Sequence, residues 1–140
     1  MPGKIIRADN ITRPRVRAGY GLRYYVFGDN MERRGLGGQA GVMRGEPNAI
    51  GVPTKWSPSN RPDAYFTDED WGEGDVERAV YGAFDTVETM LKEGYDVVIP
   101  SAGIGTGLAD LPAKAPRIYD YITRRIGYLE CAYGKKTMGG

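Results

Sequence analysis

Two clusters of glycine, each placed directly after an apolar strand-like run, constrain this chain more than any other feature. Gly28, Gly35, Gly37, Gly38, Gly41, Gly45 and Gly51 form the first, and Gly103, Gly105 and Gly107 the second. Glycine spread evenly would read as linker. Glycine concentrated between ordered runs reads as tight turns, or as backbone brought close to a ligand without a Cβ in the way.

The runs around these clusters set the fold class. Lys4–Arg7 predicts a short first strand, and Asn10–Gly21 a loop with one helical turn. Leu22–Phe27 is aromatic and β-branched and ends at Gly28-Asp29-Asn30, which reads as a strand feeding a turn. Gly38–Arg44 predicts a short helix with Ala40 and Met43 inward, and Ala49–Pro53 a strand. Lys55–Asp63 reads as a surface loop and Ala64–Phe66 as a further strand. The strongest helix is Asp75–Glu93, where Val76, Ala79, Val80, Ala83, Val87, Met90 and Leu91 recur on one face. Asp75 is its expected N-cap and Gly94 its terminating glycine. Tyr95–Pro100 predicts a buried strand, and Ala113–Ile126 a last helix ended by Gly127. The expectation is one α/β domain over residues 1–133, a three-layer α/β/α arrangement on a mixed central sheet, with a flexible basic tail at 134–140. Both glycine clusters then sit at carboxyl ends of strands, where such sheets bind ligands.

Composition removes several kinds of chemistry. The chain has 140 residues and no histidine, and Cys131 is its single cysteine. Ser-His-Asp and Cys-His catalysis, histidine-based zinc sites and an intramolecular disulfide are therefore excluded. The net charge of +1 gives no field that would steer the whole molecule to nucleic acid. Arg7, Arg13, Arg15, Arg17 and Arg23 do crowd the beginning of the chain. They read as a solvated basic surface or, alternatively, as a site for a polyanion. No apolar run is long enough to span a bilayer, so a cytoplasmic, membrane-free protein is expected.

Three segments carry candidate chemistry. In Gly28–Ala40, Asp29 and Asn30 offer hydrogen bonds at a strand end, while Gly37, Gly38 and Gln39 open a helix whose free N–H groups suit an anion. In Ser101-Ala102-Gly103-Ile104-Gly105-Thr106-Gly107, alternate glycines let successive N–H groups converge as an anion-binding nest. It is neither a Walker loop nor a dinucleotide fingerprint. Thr54 and Lys55 form a weaker third candidate, since a lone lysine in a proline-bordered loop is ordinarily solvated.

These paired loops resemble those of macrodomains, the ADP-ribose-binding modules. There, an Asn-bearing turn precedes a Gly-Gly segment opening a helix, and a later glycine-rich loop wraps a diphosphate. Gly28-Asp29-Asn30 with Gly37-Gly38-Gln39-Ala40 is similar to the first, and Ser101–Gly107 to the second. Ala8-Asp9-Asn10-Ile11-Thr12 is similar to the early Gly-Asp-Ile-Thr stretch, whose Asp meets adenine. The usual Asn-Ala-Ala-Asn turn is absent, and the short chain is more similar to the compact macro-like proteins of bacteriophages. The resemblance implies an ADP-ribose-type nucleotide ligand, such as a signalling molecule made from NAD, without cofactor or metal. The diphosphate is expected on Gly103–Gly107, the distal ribose near Gly37, Gly38 and Gln39, ribose hydroxyls on Asp29 and Asn30, and adenine by Asp9. Three functions stay open. They are capture of the nucleotide, hydrolysis of an ADP-ribosyl conjugate with Asp29 and Asn30 as the catalytic candidates, and nucleic-acid association through the N-terminal arginines. Oligomeric state is open as well.

Overall fold

The computed structural model describes residues 1–72 and 74–137. The apolar runs become five strands: β1 (Ile5–Ala8), β2 (Arg23–Asn30), β3 (Ala49–Lys55), β4 (Asp96–Pro100) and β5 (Lys135–Thr137). They form one sheet in the order β3-β2-β4-β1-β5. Every pairing of these strands is parallel, where a mixed sheet was expected. Each connection runs through a helix, as a crossover between parallel strands requires. The helices are α1 (Arg13–Ala18), α2 (Ala40–Met43), α3 (Asp75–Lys92), α4 (Leu111–Lys114) and α5 (Pro116–Tyr133).

Side chains alternate across the sheet and build two cores. Ile5, Val26, Val52, Val97 and Ile99 join Val80, Phe84, Leu91 of α3 and Ile118, Ile122, Leu129 of α5. Ile6, Tyr25, Phe27 and Val98 join Val16 of α1 and Ala40 and Met43 of α2. Phe84 is fully buried, and truncating a residue of this size in a packed core costs about 3–5 kcal/mol.

Several boundaries differ from expectation for local reasons. β2 continues through Gly28-Asp29-Asn30, because these residues keep pairing with Val52, Pro53 and Lys55 of β3. The expected turn is therefore strand. α3 is capped by Gly74, whose φ of 87° starts the helix, and Asp75 is its first helical residue. Gly94 has φ 104°, as a terminating glycine should. Ala64–Phe66 is not a strand. Pro62–Ala64 is a 3₁₀ turn, and Tyr65 makes one isolated antiparallel bridge to Lys55. α5 runs past Gly127 to Tyr133, because Leu129 continues its buried stripe after Ile126. The tail expected from residue 134 begins as the edge strand β5, exposed and lysine-bearing, which suits an edge that must not recruit further strands. Residues 138–140 of that tail lie outside the described residues.

Candidate functional site

The chain leaves neighbouring strands β2 and β4 toward opposite faces of the sheet. After β2 it leads to α2 on one core, and after β4 to α4 and α5 on the other. Such a divergence opens a crevice beyond the strand ends. Both glycine clusters lie there, around a cavity of about 340 Å³.

Gly28 is the floor. A Cβ on it would lie 3.5 Å from Thr54 Oγ1 on one side and 3.6 Å from the Gly105 N–H on the other. The second loop forms one wall. Gly103 and Gly105 take φ of 92° and 85°, conformations open to glycine but strained for other residues. The loop is held by Gly103 N–H to Pro100 O at 2.9 Å and by Leu111 N–H to Gly105 O at 2.9 Å. Among the described residues, the N–H groups from Ile104 to Leu108 donate to no protein acceptor. Successive unpaired N–H groups in such a bend are the donor arrangement of an anion nest.

The opposite wall is built by the first loop and by β3. The Asn30 amide donates to Arg34 O at 2.7 Å, turning the chain back on itself. The Asp29 carboxylate, 6% exposed, accepts from its neighbour Asn30 N–H at 2.8 Å, from Arg33 at 3.2 Å and from both Nη atoms of Arg44. A carboxylate offers about four acceptor positions. All are used inside the protein, so Asp29 braces the loop and presents no free lone pair to a ligand. Gly51 makes this possible, since a Cβ there would lie 2.5 Å from Asp29 Oδ2. The helix expected to follow the Gly-Gly pair is a single turn, too short for its dipole to matter.

Gly28, Asp29, Asn30, Gly37, Gly38, Gln39, Thr54, Lys55, Ala102, Gly103, Ile104, Gly105, Thr106 and Gly107 all line the cavity. Asp9 and Ser101 do not. Asp9 follows the end of β1, one strand beyond β4, and its backbone carbonyl accepts from Arg15 at 3.1 Å. Ser101 is exposed, with its N–H committed to Ala8 O at 3.0 Å. Thr54 and Lys55 belong to β3 rather than to a loop and are 3% and 6% exposed, so the expectation of a solvated lysine fails. Thr54 donates to Asp29 O at 3.0 Å. Sequence reasoning missed Arg34, Arg44 and Leu108, which also line the cavity. Leu108, 62% exposed, leans over the first loop, where a Cβ on Gly37 would lie 2.8 Å from it. Arg34 lies within the first glycine segment and Leu108 directly follows the second, whereas Arg44 reaches the cavity from beyond α2 through packing. Gln39 Oε1 is buried and has no hydrogen-bond partner.

The arginine-rich beginning of the chain is not simply solvated. Arg13 and Arg17 pair with the buried Glu46 at 2.6 and 3.1 Å, and Arg7 pairs with Glu130 at 3.0 Å. Glu46 also accepts from the Tyr20 hydroxyl, and that bond together with Arg13 holds its carboxyl down at about 2. Arg13 reaches on to the carbonyls of Gly41 and Arg44, coupling this cluster to the first loop.

Among the described residues, no group of acidic, cysteine or histidine side chains could hold a metal ion, and no helix is long and apolar enough to cross a membrane. A family model matches residues 6–125. The chain belongs to DUF7831, a family of unknown function. The match to DUF7831 runs from β1 into α5 and so contains both glycine loops and all the cavity residues named above. No curated protein and no solved structure matches this DUF7831 chain.

Proposed function

We propose that this DUF7831 protein binds ADP-ribose or a nucleotide derived from it, in the manner of a compact three-layer macro-like domain. The observation that carries the reading is the row of unpaired N–H groups from Ile104 to Leu108, on a loop that lines a cavity floored by Gly28. Preorganised N–H dipoles attract phosphate, and the bare floor leaves room for a diphosphate. The unpartnered Gln39 Oε1 would accept from a ribose hydroxyl, and Arg34 and Arg44 add positive charge on the far wall. Helices packed on both faces of the sheet support the three-layer reading. The adenine contact expected of Asp9 lies beyond β4 and requires the ligand to extend past the second loop.

Binding is favoured over hydrolysis by the state of the two catalytic candidates. Asp29 has no acceptor position left to orient a water, and the Asn30 amide is held on the Arg34 backbone, donating to its carbonyl and accepting from its N–H. The reading therefore includes sequestration of an NAD-derived signal rather than turnover. Native mass spectrometry with a panel of ADP-ribose derivatives tests both parts. Retention of unconverted ligand is the expected result. Conversion would favour the hydrolase, and no retention of any derivative would reject the nucleotide reading.

A further inference from the structure

β3 delivers a lysine into the interior with no acid to meet it. Lys55 is 6% exposed and lines the cavity. Its Nζ donates to Ser59 O at 2.7 Å and stands 4.5 Å from the centre of the Tyr65 ring. Neither partner carries charge. Among the described residues no carboxylate pairs with it, although acids lie close by in the fold. Asp29, beside its register partner Asn30, is committed to Arg33 and Arg44. Asp70 accepts from Trp56 and Thr67, and Asp68 from Arg117. Glu32, next to Met31 whose N–H donates to Lys55 O, is paired with Arg34, and Asp63 is exposed at the surface; cations stand nearby as well. Lys114 of α4 stands 4.9 Å from the same Tyr65 ring, and Arg34 and Arg44 line the cavity.

A buried ammonium without a counter-charge is costly, and proteins normally supply the acid. Burial accordingly pushes the Lys55 ammonium below its ordinary pKa. An ammonium has three donors, and one is used on Ser59. The cavity that Lys55 lines gives a missing partner a route to it. We propose that Lys55 is the counter-cation for a phosphate-class oxyanion of the ligand, at a subsite distinct from the Gly103–Gly107 loop. β2 separates β3 from β4, so the two strand ends are about 10 Å apart at ordinary strand spacing. The ligand class is then a nucleotide with a second anionic group set apart from its diphosphate. This inference rests on reading the cavity as a nucleotide site, and it names what that site selects.

The test uses inorganic phosphate, so that it does not depend on the nucleotide. Protein carrying ¹³C-labelled lysine is titrated with phosphate and then with alkali, and Lys55→Met assigns the signal. The Lys55 signal should move with phosphate, and its titration midpoint should rise by about 1 unit. Phosphate affinity should fall about tenfold in Lys55→Met and return in Lys55→Arg. Lys55→Met should keep or raise the melting temperature, because it removes a buried unpaired charge, whereas a structural lysine would leave it lower. A Lys55 signal unmoved by phosphate overturns the proposal, whether or not the Gly105 and Gly107 amides respond. ADP-ribose bound with Lys55 insensitive to phosphate would reject this subsite alone. Phosphate sensed by Lys55 without binding of any ADP-ribose derivative would reject the nucleotide reading alone.

Discussion

The guanidinium of Arg44 closes on the carboxylate of Asp29, tying the chain just past α2 to the end of β2. The same side chain donates through Nε to Gly35 O at 2.7 Å, so one arginine holds both ends of the first glycine loop. Asp29→Asn should loosen that loop. Charge-assisted bonds of this kind contribute about 1.5–3 kcal/mol, and partial exposure of the arginines places the loss near the lower end. Urea denaturation should show the drop, and nucleotide affinity should fall with it.

Gly107 and Gly105 separate ligand contact from backbone requirement. A Cβ on Gly107 would meet nothing within 4 Å, and its φ lies outside the left-handed region. Gly107→Ala should therefore melt and bind like the parent. Gly107→Glu should also melt cooperatively, but its negative charge beside the nest should abolish binding of ADP-ribose in calorimetry.

Gly105→Ala is expected to behave in the opposite way. With φ 85° and a Cβ driven into Leu111, it combines a backbone cost of about 1–2 kcal/mol with overpacking of about 1–3 kcal/mol. The melting temperature should fall clearly, as scanning calorimetry would record.

Glu46 predicts an acid limb of stability. Its carboxyl titrates near 2 in the folded protein against an ordinary 4.5, through the Tyr20 hydroxyl first and Arg13 next. A depressed folded pKa gives stability that is complete above the ordinary value and lost as pH falls from about 4.5 through about 2. Thermal melts across this window should drop for the parent and flatten for Glu46→Gln.

Replacing Arg13 and Arg17 by Ala should destabilise the fold, because Glu46 is then left buried beside Tyr20 alone. Since neither arginine lines the cavity, nucleotide affinity in the folded fraction should stay within about tenfold, or about 1.4 kcal/mol. Tight, salt-sensitive RNA or DNA binding by the parent protein would instead favour the nucleic-acid reading.

By itself the sequence determined the α/β class, the long helix from Val76 to Leu91, and the place of both glycine loops after strands. These follow from local periodicity, from β-branched runs and from the rarity of positive φ outside glycine. Only the tertiary structure decided the rest. Parallel pairing of every strand depends on where distant segments dock, not on any one segment's pattern. β2 reaches Asn30 because β3 offers it hydrogen-bond partners. Arg44 arrives at Asp29 from across the loop, and Lys55 is buried by the chain that folds back through Ser59 and Tyr65. The burial of a charge, and the choice of its partner, are properties of three-dimensional packing. A run of one-dimensional sequence that ends in lysine carries no mark of whether water or a closed cavity will surround it.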